Sequence, residues 1–169
     1  MEELDKILAK NLGQIKLVIT DVDGVLTDGG LYYTSEGLFM KRFNVKDGMG
    51  VVLLKQAGIL CGIISSDDSE IIKVRAEKLK MDFAFTGVLN KKEIMLELCA
   101  KENINPSEAA FIGDDVNDLE IISSVGLSAA PSDAIDKVKN LVDYICTKNG
   151  GQGAFREFAD LILKAKASK

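Results

Sequence analysis

The sequence predicts an α/β fold, a doubly wound and mostly parallel sheet with helices packed on it, in a single domain covering residues 1–169. Three observations carry that reading. Short apolar runs rich in β-branched residues alternate with longer stretches of helical periodicity. The apolar runs end in small clusters of Asp, Ser and Gly rather than in tight hairpin turns, with one exception near residue 35. At 169 residues, 47% hydrophobic and 28% charged, the chain suits one core of substantial size.

In chain order, residues 2–12 place Leu4, Ile7, Leu8 and Leu12 on one helical face, with acids leading and Gly13 following, which predicts a short amphipathic helix. Residues 15–20 read as the first strand and run into Asp21-Val22-Asp23-Gly24-Val25-Leu26-Thr27-Asp28-Gly29. Residues 31–34 and 38–43 flank Ser35-Glu36-Gly37, so 31–43 is a β-hairpin. A helix follows over 47–57, with Asp47 as its N-cap and Gly58 as its stop. The second strand is 59–65, after which Asp67-Asp68-Ser69 caps a helix striped by Ile72, Ala76 and Leu79. The third strand is 82–86, followed by a helix over 91–103 and a helical start at Asn105-Pro106-Ser107. Residues 109–112 form the fourth strand, closed by Gly113-Asp114-Asp115. A helix over 117–124, a strand over 127–129, a helix over 133–140 and a strand over 142–145 complete the alternation. Gly150-Gly151-Gln152-Gly153 reads as a flexible joint before a closing helix over 155–165, within a tail covering 150–169.

Composition narrows the chemistry. A net charge of −5 argues against general binding to nucleic acid or to an anionic membrane, although a local cation or metal can still hold an anionic small molecule. The chain has no histidine, which removes every catalytic triad or dyad built on imidazole and every imidazole metal ligand. Acid–base work falls to carboxylates, Lys, Tyr or Cys, and any metal site is oxygen-rich, which suits Mg²⁺ better than Zn²⁺. Cys61, Cys99 and Cys146 have neither zinc spacing nor a disulfide pattern and read as buried thiols in a reducing compartment. No apolar run is long enough to span a membrane and the N-terminus is no signal peptide, so a cytoplasmic location is expected.

The polar residues that close the strands converge. Asp21 and Asp23 follow the first strand, Ser65 ends the second, Lys91 comes soon after the third, and Asp114 and Asp115 follow the fourth. All lie at carboxyl ends, the edge where open α/β sheets bind ligands. Each alone has an ordinary explanation: a turn, a strand-end hydroxyl, a solvated lysine, a helix cap. Their shared edge does not. Crowded carboxylates call for a cation. A carboxylate beside a cation can attack phosphorus, a second can shuttle the proton, and a hydroxyl and a lysine can hold the phosphoryl oxygens.

In order and spacing, Asp21 to Asp28, Ser65, Lys91 and Gly113-Asp114-Asp115-Val116-Asn117-Asp118 resemble the four motifs of the haloacid dehalogenase superfamily. The resemblance implies a HAD-like fold, Asp21 as nucleophile and Asp23 as general acid/base. It implies Mg²⁺ on the carboxylates of Asp21 and Asp114 and the backbone carbonyl of Asp23. Ser65 and Lys91 would bind phosphate, with Asp115 and Asp118 in support. Only about twenty residues separate Thr27 from Asp47, and about twenty-five separate Ser65 from Lys91, too few for an independent cap domain.

Within the superfamily the chain looks like the small cap-less branch of sugar-acid phosphatases, which act on octulosonate 8-phosphate or nonulosonate 9-phosphates. Phe43-Asn44-Val45-Lys46-Asp47-Gly48 resembles that branch's substrate loop, and residues 150–157 resemble its C-terminal motif. The implied substrate contacts are Asn44, Val45, Lys46, Asp47, Gly48, Asp67, Arg75 and Lys78. The implied assembly is a homotetramer in which hairpins pack together and a neighbour's tail reaches the site. Where octulosonate phosphatases carry Gly-Arg after the second motif, this chain has Ser66-Asp67. An acid there, with a helix Arg75 and Lys78 like those of nonulosonate phosphatases, tilts the expectation slightly toward a nine-carbon substrate of the KDN or sialic-acid type, with octulosonate 8-phosphate as the alternative. A phospho-receiver domain would need its phosphorylated Asp after the third strand, which here lacks one. A non-catalytic oligomerisation domain, related to one fused to some cytidylyltransferases, would have no need of intact Asp21, Asp23, Lys91 and Asp114.

Overall fold

The computed structural model describes residues 12–167. The chain runs β1 (Leu17–Thr20), β2 (Tyr32–Thr34), β3 (Gly37–Met40), α1 (Val45–Gln56), β4 (Leu60–Ile64), α2 (Glu70–Lys78) and β5 (Phe83–Phe85). It continues through α3 (Lys91–Lys101), β6 (Ala109–Ile112), α4 (Leu119–Ile122), β7 (Leu127–Ala130), α5 (Asp136–Lys139), β8 (Tyr144–Ile145) and α6 (Ala154–Ala167). Six strands pair in parallel in the order β5-β4-β1-β6-β7-β8, and β2 and β3 form a separate antiparallel hairpin. The doubly wound sheet and the hairpin expected from the sequence are both present. The helix expected over 2–12 lies outside the described residues, apart from Leu12 in a 3-10 turn.

Strand alternation divides the core in two. Val18 points to a layer with Val51 and Leu54 of α1, Ile72 of α2, and Phe155 and Phe158 of α6. Leu17 and Ile19 point to the opposite layer with Met95 and Leu98 of α3, Ile121 of α4 and Val138 of α5. A sheet buried on both faces explains why the strands read as continuous apolar runs. Thr20 of β1 stands opposite Ile63 of β4 and Ile112 of β6, so three central strands end level. After β5 the chain crosses to the other side of β1, which makes the end of β1 the point where strand order reverses and a crevice opens.

Three expectations need correction. α1 starts at Val45, with Asn44 as its N-cap accepting from the Lys46 N–H at 2.9 Å. Asp47 lies in the first turn, buried, and its Oδ1 accepts the Arg156 N–H at 2.9 Å, capping α6 from across the fold. The helix does stop at Gly58: φ is +73°, and the Gly58 and Ile59 amides bond back to the Lys55 and Leu54 carbonyls. The glycine-rich segment is a packed turn rather than a loose joint. The Gly151 N–H donates to the Val25 carbonyl at 2.9 Å, and a Cβ on Gly150 would lie 1.8 Å from the Gly24 carbonyl oxygen. These glycines let two backbones touch.

The helix expected over 117–124 is only one turn, α4, after a 3-10 turn at Val116–Asp118. All three cysteines are free and buried. Among the described residues, no helix is long and apolar enough to cross a membrane.

Candidate active site

The loop after β1 is folded by Thr27. Its buried hydroxyl accepts the Gly24 and Gly29 N–H groups, each at 3.2 Å, and donates to the Val22 carbonyl at 3.4 Å. That turn requires φ +84° at Gly24 and sets Asp21 and Asp23 at the mouth of the crevice. Asp114 arrives from β6, and Asp118 fixes it. Buried Asp118 accepts the Asp114 N–H at 3.0 Å and the Asp115 N–H at 3.4 Å on Oδ2. Its Oδ1 takes the Lys91 ammonium at 2.6 Å. Lys91 opens α3 after its cap Asn90 and reaches Asp21 Oδ1 at 2.9 Å with its side chain 1% exposed. A lysine this buried is tolerated because two carboxylates meet it.

Asp21, Asp23, Ser65, Asp67, Asp114 and Asp115 line one open pocket of about 170 Å³, together with Ser66 and Asn117. The convergence expected from the strand ends is therefore realised in space. Ser66 and Asn117 were not among the expected site residues; the Asn117 side-chain amide donates to Ser66 Oγ at 3.1 Å and ties the β4 loop to the β6 loop.

Crowding shows in the acidities. Burial, then repulsion from Asp118, pushes Asp21 up to about 6 against the opposing pull of Lys91. Burial and the charges of Asp21, Asp118 and Asp115 push Asp114 up to about 8. Burial pulls Lys91 down, but Asp21 and Asp118 outweigh it and hold its pKa above the ordinary lysine value. The cluster carries more negative charge than Lys91 offsets. Oxygens of Asp21, Asp114 and Asp118 lie within 4.8 Å of one another. Asp118 has both oxygens engaged, one by Lys91 and one by two amides, so Asp21 and Asp114 are the better carboxylate donors. An all-oxygen donor set of this kind suits a hard divalent cation such as Mg²⁺.

The other expected substrate residues gather elsewhere. Asn44, Val45, Lys46, Asp47, Gly48, Arg75 and Lys78 do not line the acidic pocket. Arg75 donates to the Asn44 carbonyl at 3.3 Å and lies 5.3 Å over the Phe43 ring. Asn44 Nδ2 donates to the Gly151 carbonyl at 3.1 Å, Asp47 and Gly48 are buried, and Val45, Lys46 and Lys78 face solvent. Within one chain, Asp67 alone of that group reaches the pocket.

The residue the sequence did not reveal is Lys41. It follows β3, and its side chain is 1% exposed. Its ammonium contacts both Asp23 oxygens at 2.7 Å and also Asp67 Oδ2. Burial pulls Lys41 down, but Asp23 and Asp67 hold its pKa above the ordinary value. Asp67, despite its burial, is held below the usual carboxylate range by Lys41. In the sequence Lys41 sits beside Arg42 at the end of a hairpin strand, where charged residues are commonplace.

The haloacid dehalogenase-like hydrolase family model matches residues 63–157. The chain is 42% identical over 159 residues to 3-deoxy-D-manno-octulosonate 8-phosphate phosphatase KdsC of Haemophilus influenzae, covering 94% of this chain and 88% of the relative. A cobalt-bound structure of the Haemophilus influenzae phosphatase superposes with a TM-score of 0.90 at 42% identity, covering 93% and 92% of the two chains. The Moraxella catarrhalis 3-deoxy-D-manno-octulosonate 8-phosphate phosphatase, solved with magnesium ion, phosphate ion and KDO, superposes with a TM-score of 0.92 at 38% identity, covering 97% and 94%. On fold, motif placement and identity over nearly its whole length, the chain belongs to the haloacid dehalogenase-like hydrolases, and within them to the phosphatases.

Proposed function

We propose that the chain is a Mg²⁺-dependent phosphatase of 3-deoxy-D-manno-octulosonate 8-phosphate, working through a phosphorylated Asp21. The observation that carries this is the pocket itself: Asp21 and Asp114 beside one another, Lys91 buried on Asp21, and Asp23 at the same mouth. Relatives bearing that enzyme's name, 37–42% identical over at least 90% of this chain, support the substrate.

The Asp21 carboxylate attacks phosphorus as the ester P–O bond breaks, and Asp23 gives its proton to the leaving oxygen. Asp23 then takes a proton from the water that attacks the Asp21 phosphoanhydride, releasing inorganic phosphate and restoring Asp21. Ser65 and Lys91 hold phosphoryl oxygens, and Asp115 and Asp118 keep Asp114 and Lys91 in place. Asp21, Asp114 and the Asp23 carbonyl would hold Mg²⁺, which supplies positive charge against the crowded carboxylates and the phosphate.

The leaning toward a nine-carbon substrate rested on the acid at Asp67 together with Arg75 and Lys78. Lys41 meets Asp67, so Asp67 is not a bare acid, and the one ammonium is shared with Asp23. The eight-carbon ester is the better reading because the named relatives are octulosonate 8-phosphate phosphatases. Phosphate release with and without EDTA, comparing octulosonate 8-phosphate with nonulosonate 9-phosphates, tests it. The eight-carbon ester should be preferred by about tenfold or more in kcat/KM; the reverse preference would overturn it.

A homotetramer belongs to the same proposal. Tyr33 and Phe39 of the hairpin are 67% and 69% exposed, an apolar surface suited to packing on other copies. Light scattering should show four chains. The buried free thiols support a reducing, cytoplasmic setting.

A further inference from the structure

The end of the hairpin is fastened to the catalytic loop by three consecutive residues. Phe43 bridges Thr27, Arg42 pairs with Asp28 at 3.2 Å, and Lys41 reaches furthest in, to Asp23 and Asp67. Of these only the Lys41 side chain is buried, against the pocket residues Asp23 and Asp67; the Arg42 side chain is 51% exposed. The three charged groups in contact come from three different elements: Lys41 from the hairpin, Asp23 from the β1 loop and Asp67 from the β4 loop.

The geometry at Asp23 is specific. One ammonium spans both carboxylate oxygens at equal 2.7 Å distances, which leaves the carboxylate one orientation about its terminal torsion. Asp67 anchors the ammonium in turn, and the Asp67 N–H is held at 3.2 Å by Ser65 Oγ. A carboxylate at the pocket mouth, 33% exposed, would otherwise be free to rotate toward water. A proton donor has to meet the leaving oxygen at hydrogen-bond distance while the P–O bond breaks.

Resting on the phosphatase reading above, we infer that Lys41 is the positioning residue of the proton-transfer step, setting the orientation from which Asp23 protonates the leaving oxygen. Asp23 meets Lys41 as a carboxylate and first takes up a proton from solvent. That proton passes to the leaving oxygen as P–O breaks and the Asp21–phosphorus bond forms, and Asp23 regains one from the water that attacks next. Lys41 keeps its own protons throughout. The hairpin thereby becomes part of the catalytic apparatus.

The test is kcat/KM along a series of substituted phenyl phosphates, which share one shape but differ in how much their leaving group needs a proton. kcat/KM reports the steps up to phosphorylation of Asp21, before water attacks. Lys41→Met should lower kcat/KM for phenyl phosphate about tenfold more than for 4-nitrophenyl phosphate. Lys41→Arg, which can also span a carboxylate, should recover most of the difference. Equal losses across the series, or no loss, would overturn the inference, because a merely structural lysine would affect all esters alike. Should Lys41→Met not fold, Asp67→Ala removes one of the two anchors and should give the same graded loss in weaker form; a uniform loss or none again overturns it. A wild-type chain inactive on every phosphate ester would instead sink the phosphatase reading.

Discussion

The carboxylate of Asp114 occupies the space where a side chain at Gly24 would begin: a Cβ there would lie 2.0 Å from Asp114 Oδ2. The glycine of the first motif and an acid of the fourth, ninety residues apart, are thus one packing unit. Gly24 also needs φ +84°, which an L side chain rarely adopts. Gly24→Ala should therefore displace Asp114 and cost about 1–3 kcal/mol of stability. Activity should fall more than stability explains, and isothermal titration should show Mg²⁺ affinity falling with it.

Metal removal has a predicted pH signature. Asp114 is pushed up to about 8 and Asp21 to about 6 in the metal-free protein, whereas both ionise near 4 when unfolded. Between those limits the folded state holds protons that the unfolded state releases, so these groups make stability fall as pH rises from about 4 to 8. A cation must displace the same protons. Thermal melts in EDTA should show the midpoint dropping over that window, and the rise caused by Mg²⁺ should grow from pH 5 to pH 8.

Asp47 gives a second signature, away from the pocket. It is 2% exposed; Oδ1 accepts from Arg156, while Oδ2 is among the buried atoms with no partner. Burial pushes it up to about 6 against the pull of its backbone hydrogen bonds and two arginines. A raised acid contributes fully below the unfolded value and loses that contribution as pH rises to its folded value. Asp47→Asn keeps an acceptor for Arg156 and removes the titration. Relative to wild type, the variant should gain about 1–2 kcal/mol between pH 4 and pH 6 in urea melts and stay level above pH 6.

These relationships differ in how far the sequence discloses them. The level ends of β1, β4 and β6 follow from apolar runs closed by polar clusters, so the meeting of Asp21, Ser65 and Asp114 is legible in the sequence. Lys91 was legible for the same reason. Lys41 was not: its partners lie 18 and 26 residues away, and only the fold-back of the hairpin brings them together. Asp47 was misread as a cap of its own helix because local spacing cannot reveal an amide 109 residues downstream. Asn44, equally suited to capping, holds that place. The glycine-rich turn was misread for a related reason: glycine signals both looseness and close approach, and only the Val25 and Gly24 contacts decide between them.

Asp21 is the proposed nucleophile toward phosphorus. Asp21→Asn preserves size and leaves Lys91 an oxygen to contact, so the fold should persist by circular dichroism. The direct measurement is Mg²⁺-dependent phosphate release from octulosonate 8-phosphate by wild type and by this variant, assayed side by side. The wild type should turn over, EDTA should abolish that turnover, and the folded variant should fall by about 10³-fold or more. Turnover within a few-fold of wild type in that variant would overturn Asp21 as the nucleophile.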